Sequence, residues 1–334
     1  MIAKIEFINN IPNEQELKKN LHHIIVIDPS IPKYPFETLL KNKLKRSGKK
    51  LTDLNKTPIT TELDSGATIS WVGYSPDLNP FQMHTLIRKG FNILSQEKPT
   101  EISITFLPKN INESWVNACV YVSLVNSQVL PNLKKSVKNV TLKKVILAGI
   151  SKCDLSKTLA LVNGNTLTRN LTITPPNKLT PTIYKAKVKQ LAKQHKWAYK
   201  DYSMSQLRKL GAGAFVAVGQ GSEPEDAVIV HLKHTSKNSK KTIALVGKGI
   251  CFDTGGHNLK PAKYMSGMHE DMNGSAVVLG IMQAATEAKL PVNIDCWLAI
   301  AQNHIGPKAY KQNDVVTALN GLSIEIVHTD AEGR

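Results

Sequence analysis

The sequence lacks a run of about eighteen apolar residues, so we expect no membrane-spanning helix. Its N-terminus has no apolar signal core, which argues against secretion and favours a cytoplasmic location. Cysteine is scarce, because the chain has only four, and no two of them show C-x-x-C spacing. This pattern is typical of reduced thiols and excludes a disulfide scaffold or a cysteine zinc site.

The H-E-x-x-H signature of helical zinc sites is also missing. Imidazole is nevertheless a common zinc ligand, and four histidines fall within residues 246–334. We interpret His257 and His328 as neighbours of a site, with direct contact to metal or substrate as the less favoured alternative. His269 and His304 are interpreted as loop or surface residues.

Negative charge is in short supply, since the formal net charge is +17. Lysine is concentrated in residues 41–56 and 233–241. A positive field of this size attracts polyanions and would support sequence-independent binding of nucleic acid. Both stretches lack interleaved aromatic residues and contain Ser and Asn, which favours solvated loops. A nucleic-acid role therefore remains open but is the less favoured interpretation.

The length of 334 residues predicts two domains. Residues 1–153 are predicted to form an N-terminal α/β domain. Their sequence shows no ligand cluster and no phosphate-binding loop. Its strand candidates are His23–Ile27, Thr68–Val72, Glu101–Phe106, Ala118–Leu124 and Lys144–Leu147. Its helix candidates are Pro35–Leu44, Met83–Leu94 and, in competition with a strand, Asn112–Val125.

Residues 154–334 read as a second α/β domain, built on a mostly parallel, mixed sheet flanked by helices. Helices are predicted at Ser156–Ile173, from Thr180 as cap with Pro181 to Lys196, from Ser203 to Gly211, and at Met272–Lys289. Strands are predicted at Ala214–Val218, Ala227–Leu232, Thr242–Phe252, Val292–Ile300 and Ser323–Val327.

The second domain contains two segments rich in acidic and basic side chains, VGKGICFDTGGHNLKPAKYMSGMHED (246–271) and HTDAEGR (328–334). Asp253 follows a buried strand, Asp271 opens a helix, and Asp330 and Glu332 follow another strand. Carboxylates that converge on the carboxyl edge of a sheet suit two divalent metals, which together promote hydrolysis. With Lys248, these are the residues that we assign to metal.

Each residue also has an ordinary structural interpretation. Asp253 before two glycines could be a turn residue, and Asp271 could cap a helix. Lys248 could be a solvated strand residue, because it binds metal only as a neutral amine. The joint pattern, rather than any single residue, favours the metal site.

That pattern resembles the leucyl aminopeptidase family, the M17-type dizinc exopeptidases. The resemblance covers roughly 156–334 and is most specific in its last third. It rests on VGKGICFDTGG (246–256), NLKP (258–261), EDMNGSA (270–276) and TDAEGR (329–334).

The resemblance implies roles for individual residues. It implies that one ion is held by Lys248, Asp253, Asp271 and Glu332. A second, more exchangeable ion would be held by Asp253, Asp330 and Glu332, so that two carboxylates bridge the pair. Lys260 matches the catalytic lysine that polarises the scissile carbonyl, and Arg334 matches the arginine that anchors a bicarbonate. An ammonium beside two cations would favour the negatively charged transition state.

The resemblance also implies an activity. It predicts release of N-terminal, leucine-like residues from peptides by attack of a metal-bound hydroxide, with Zn²⁺ or Mn²⁺ as cofactor. A hexamer is implied for the full-length domain, which in this family normally extends beyond the residue matching Arg334. The chain is therefore expected to hold the N-terminal part of that domain. A catalytically silent, basic binding or assembly module is the alternative. For residues 1–153, the resemblance implies a role in assembly or regulation.

Overall fold

The computed structural model describes residues 2–31, 33–108, 110–134, 140–237, 239 and 241–333. The chain divides into two compact units, Met1–Val162 and Asn163–Arg334. The division falls inside the helix Ser156–Ile173, whereas the sequence placed a boundary at 153/154. The functional assignment of the two domains stays a prediction.

The first unit is built on a six-stranded sheet with the order β1-β6-β5-β2-β4-β3. Neighbouring strands are parallel except for the antiparallel pair β3–β4. The strands are β1 (Lys4–Ile8), β2 (His22–Ile27), β3 (Ile59–Glu62), β4 (Thr68–Gly73), β5 (Glu101–Phe106) and β6 (Lys144–Ala148). The helices are α1 (Glu14–Leu17), α2 (Glu37–Arg46), α3 (Pro80–Gln96) and α4 (Glu113–Asn126). Because β2 and β4 are buried along their whole length, they form the centre of the core.

The segment 112–125, for which both helix and strand were predicted, forms helix α4. The side chain of Asn112 accepts a hydrogen bond from the backbone N–H of Ser114 and caps the helix. The strand alternative at Ala118–Leu124 is therefore wrong. This segment is apolar without alternation, and eight residues of α4 are buried, so periodicity could not separate the two structures.

The second unit begins within helix α5 (Ser156–Ile173). Its four-stranded sheet has the order β7-β8-β10-β9, with β9 and β10 parallel and the other pairs antiparallel. The strands of this unit are β7 (Ala198–Ser203), β8 (Val228–His234), β9 (Thr242–Asp253), β10 (Asn293–Asn303), β11 (Val315–Thr317) and β12 (Ser323–Glu325). The further helices are α6 (Pro181–His195), α7 (Met204–Leu210), α8 (Gly213–Gly219), α9 (Ala262–Met265) and α10 (Asn273–Glu287).

The α/β class and the mixed sheets flanked by helices are confirmed. Two strand predictions in this unit need correction. Residues 214–218 form most of helix α8, because their short apolar run packs against α7 and β10 rather than pairing in the sheet. The strand at 323–327 is shorter than expected and pairs only with β11, in a separate hairpin.

Helix α10 lies very close to strand β9. A Cβ atom at Gly247 would lie 2.5 Å from Cα of Ser275, so only glycine permits this approach. Apolar residues of α6, α10, β8 and β10 then form one core cluster beneath the sheet. None of the helices in the described part of the chain is long and apolar enough to cross a membrane.

Candidate metal centre

Strand β9 ends at a buried carboxylate. The side chain of Asp253 is only 4% exposed, and its Oδ2 lies 3.1 Å from Nζ of Lys260. Its Oδ1 accepts a hydrogen bond of 2.8 Å from the backbone N–H of Gly255. Gly255 and Gly256 both have positive φ (86° and 66°), which lets the loop turn sharply enough to bring Lys260 back. Asp253 thus acts as a turn residue and also pairs with the lysine.

Lys248 joins two acidic segments. Its Nζ lies 2.6 Å from Oε1 of Glu332 and 2.8 Å from Oδ2 of Asp271. Helix α10 starts at Asn273 with Met272 as cap, and no side chain caps it. The carboxylate of Asp271 therefore does not cap this helix, and Lys248 is not a freely solvated lysine.

The two acidic residues after β12 complete the cluster. Asp253, Asp330 and Glu332 each offer a carboxylate oxygen, and these atoms lie within 4.8 Å of one another. Lys260 contacts Asp330 as well as Asp253. Asp330 and Glu332 lie in turns rather than in an extended strand. The expected convergence occurs, but a turn supplies these carboxylates and not the edge of the main sheet.

Thr329 anchors that turn inside the protein. Its Oγ1 donates to the carbonyl of Gly255 (2.6 Å), and its own carbonyl accepts from the hydroxyl of Tyr310 (2.5 Å) and Nδ2 of Asn303 (3.1 Å). The side chain of Asn258 also pairs with the Thr329 backbone. Thr329 is fully buried, so these bonds fix the position from which Asp330 and Glu332 project.

Asn303 and Tyr310 were not predicted as parts of the site. A single asparagine or tyrosine beyond an apolar run carries no spacing signal in the sequence. Asn303 could have been found from pairing, because it ends β10 directly beside Asp253 in the parallel register of β9.

The electrostatics of the site show strong negative charge. Burial would lower the pKa of Lys248 and of Lys260, but their hydrogen bonds and carboxylate neighbours outweigh it and raise both values. Burial, followed by the charges of Glu332, Asp253 and Asp330, raises the pKa of Tyr310. Four carboxylates face two ammonium groups among the described residues, so negative charge remains in excess.

The donor set fits divalent metal. Clustered carboxylate oxygens are preferred by ions such as Mn²⁺ and are accepted by Zn²⁺. The ammonium groups of Lys248 and Lys260 lie against the same carboxylates and show that the cluster attracts positive charge. Asp271 is linked to the three clustered carboxylates through Lys248.

The remaining predicted residues lie at or outside this cluster. His257 and His328 are exposed, and Nδ1 of His328 accepts from the backbone N–H of Asp330 (3.2 Å). The ring of His304 packs near Phe252. Arg334, predicted to hold bicarbonate, lies outside the described residues.

An apolar pocket opens beside the cluster. Its volume is about 750 Å³, and its walls come mainly from α8, β9 and the β11–β12 hairpin. Phe215, Val246 and Ile326 contribute apolar surface, whereas Asp330 and Glu332 lie at its polar side. Such a pocket could hold an apolar side chain next to the carboxylates.

Comparison with known proteins identifies the family of this unit. Residues 166–334, half of the chain, match the model of the cytosol aminopeptidase family, catalytic domain. The chain belongs to the cytosol aminopeptidase family. The matched range contains Lys248, Lys260 and all four carboxylates of the cluster. The individual roles of these residues stay predictions.

Relatives of this cytosol aminopeptidase family member include three probable cytosol aminopeptidases. That of Stutzerimonas stutzeri is 42% identical over 58% of this chain and 40% of its own length. Those of Clostridium tetani and Nitrosomonas europaea are 41% and 40% identical, over 52% and 54% of this chain and 36% of their own lengths. The matches thus span about two fifths of these relatives.

A solved structure has a similar fold. It is the bottromycin maturation enzyme BotP in complex with Mn, which matches with a TM-score of 0.76 over 93% of this chain and 66% of its own. The sequence identity is 22%, so this likeness concerns the fold alone.

Proposed function

We propose that this protein is a metal-dependent aminopeptidase that releases N-terminal, leucine-like residues from peptides. The observation that carries the proposal is the cluster of Asp253, Asp330 and Glu332 beside Lys260 in the domain of the aminopeptidase family. The apolar pocket next to the cluster supports a leucine-like first side chain. A cytoplasmic location and a homo-oligomer, a hexamer in the full-length family, belong to the same proposal.

The proposed metal ligands rest on the family resemblance, and the contacts within the cluster support them. Lys248, Asp253, Asp271 and Glu332 would hold one divalent ion, and Asp253, Asp330 and Glu332 would hold the other. When bound, two ions of Zn²⁺ or Mn²⁺ supply Lewis acidity and lower the pKa of water. Arg334 remains the proposed holder of bicarbonate.

The surroundings of Lys260 support a role as an electrostatic catalyst. Its side chain is 13% exposed and lies between Asp253 and Asp330. The two carboxylates therefore fix the orientation of the ammonium group, and water screens its charge only weakly. A fixed positive charge stabilises an oxyanion that develops from a peptide carbonyl, because it needs no reorganisation during the reaction. We therefore assign carbonyl polarisation to Lys260.

A specific observation favours a second candidate, a basic binding module. Nζ of Lys200 lies 4.7 Å from the ring centre of Tyr202, and Nζ of Lys189 lies 5.8 Å from that of Tyr199. Both tyrosines belong to the edge strand β7, which therefore carries one cation–aromatic pair on each of its faces. Such pairs can hold single-stranded nucleic acid by stacking and charge.

Metal-dependent hydrolysis of leucine amide separates the candidates. We expect turnover with Mn²⁺ or Zn²⁺, and we expect Lys260→Ala to lower kcat by about 10²–10³-fold. The matched control is Lys263→Ala, which changes an exposed lysine nearby and should leave kcat unchanged. Unchanged turnover in Lys260→Ala would reject the mechanism. Binding of an oligonucleotide with a steep salt dependence, without turnover, would favour the binding module.

A further inference from the structure

Asn303 is a buried amide at the junction of the acidic segments. It is the last residue of β10 and lies opposite Asp253 in the parallel pair β9–β10. Its relative exposure is 0%. A fully buried polar side chain needs hydrogen-bond partners, because an unpaired one costs about 1–3 kcal/mol. The identity of its partners therefore indicates its role.

The nitrogen of this amide faces three oxygens. Nδ2 lies 3.0 Å from Oδ1 of Asp253, 3.1 Å from the carbonyl of Thr329 and 3.3 Å from Oε2 of Glu332. All three are acceptors, so the reversed amide would place oxygen against oxygen. An amide nitrogen carries two hydrogens, which means that three acceptors share two donors.

In this orientation the oxygen of the amide is not hydrogen-bonded by any described residue. This atom, Oδ1 of Asn303, is buried. An unpaired buried oxygen lowers stability, and such exceptions call for a functional explanation. Here the donors of Asn303 reach two carboxylates that come from segments far apart in sequence.

We propose that Asn303 is a positioning residue that orients Asp253 and Glu332 for binding of the divalent ions. These two carboxylates are the ones proposed to contact both ions, so the inference rests on the proposed function. A donor fixed by β10 directs the free lone pairs of each carboxylate toward the space between Asp253, Asp330 and Glu332. Neighbours that orient metal ligands typically contribute 10–100-fold to affinity.

Metal affinity, rather than activity, tests this inference. Asn303→Leu removes both polar ends at nearly constant shape, and Asn303→Ser keeps one shorter donor. Binding of Mn²⁺ is measured by calorimetry, and the visible spectrum of bound Co²⁺ reports on ligand geometry. We expect the affinity to fall about 10–100-fold in Asn303→Leu and less in Asn303→Ser, with an altered Co²⁺ spectrum in both.

Asn293→Leu is the matched control. Asn293 begins the same strand, and its amide bonds Ser236 and Ser239 in the loop before β9. About ten residues of extended strand, roughly 33 Å, separate it from Asn303. We expect Asn293→Leu to lower the urea midpoint and to leave Mn²⁺ affinity and the Co²⁺ spectrum unchanged.

The outcomes distinguish this inference from the proposed function. If the wild-type chain binds no Mn²⁺, both fail. If it binds Mn²⁺ and Asp253→Ala abolishes binding, but Asn303→Leu keeps full affinity, the metal centre stands and the positioning role is wrong. Should Asn303→Leu fail to fold, wild-type affinity and spectrum in Asn303→Ser would equally overturn it.

Discussion

Thr329 and Asn258 exchange two backbone hydrogen bonds through their side chains. The N–H of Thr329 donates to Oδ1 of Asn258, and the N–H of Asn258 donates to Oγ1 of Thr329, both at 2.8 Å. The loop that carries Lys260 is thereby fastened to the turn that carries Asp330 and Glu332. This reciprocal pair fixes the spacing between Lys260 on one segment and Asp330 and Glu332 on the other.

Loss of the Thr329 hydroxyl should loosen this connection. Thr329→Val keeps the shape but leaves the carbonyl of Gly255 and the N–H of Asn258 without their partner. We expect the free energy of unfolding to fall by about 1–3 kcal/mol, the cost of unpaired buried groups. Urea denaturation measures it. The control Thr317→Val changes an exposed threonine and should stay within about 0.5 kcal/mol of wild type. Equal effects of the two changes would contradict the role of Thr329.

The approach of helix α10 to β9 predicts a strict requirement for glycine. In Gly247→Ala the added methyl would lie 2.5 Å from Cα of Ser275, and a backbone atom cannot yield as a flexible side chain can. We expect a loss of about 1–3 kcal/mol, typical of overpacking. Thermal unfolding compares it with Val246→Ala, at a neighbouring residue that is 74% exposed. A midpoint for Gly247→Ala as high as that of Val246→Ala would show that the helix can move aside.

A buried histidine in the first unit predicts a pH dependence of stability. Burial lowers the pKa of His23, so the folded chain takes up this proton less readily than the unfolded chain, whose pKa is about 6.5. As the pH falls below that value, the unfolded state binds a proton at His23 while the folded state does not, so the free energy of unfolding falls. Above it, the effect is absent.

Urea midpoints between pH 7.5 and 5.5 check this sign. The wild-type midpoint should fall with pH, and His23→Gln should show a smaller fall. The slope is reduced rather than removed, because burial also lowers the pKa of His84, His195, His234 and His304. The exposed His257 provides the control substitution. A slope as steep in His23→Gln as in wild type would assign the effect to other groups.

Local signals in the sequence predicted the helices well. Ser156–Ile173 agrees at both ends, and the helix predicted from Ser203 to Gly211 is present as Met204–Leu210, with a capping box formed by Ser203 and Gln206. The strand predicted at 214–218 was wrong, because a run of five apolar residues is compatible with both a helix and a strand. Strand β7 was missed, since its polar sequence at the edge of the sheet shows little burial.

The metal centre illustrates the same limit at the level of side chains. The resemblance singled out Lys248, Asp253 and Asp271, because each lies in a short motif that is legible in the sequence alone. Asn303 acts through a partner on another strand, and only the register of β9 with β10 reveals it. Residues that orient ligands are defined by three-dimensional neighbours, so a single sequence does not mark them.

The ion pair between Lys248 and Glu332 joins residues 84 positions apart. A ribosome adds about 5–20 residues per second, so roughly 4–17 s pass between synthesis of the lysine and of its carboxylate partner. Asp253 is made early in this interval and has neither Asp330 nor Glu332 beside it until the interval closes. Lys260 follows Asp253 by only seven residues, so this aspartate gains its ammonium partner early, whereas the cluster with Asp330 and Glu332 is completed late in the synthesis of the chain.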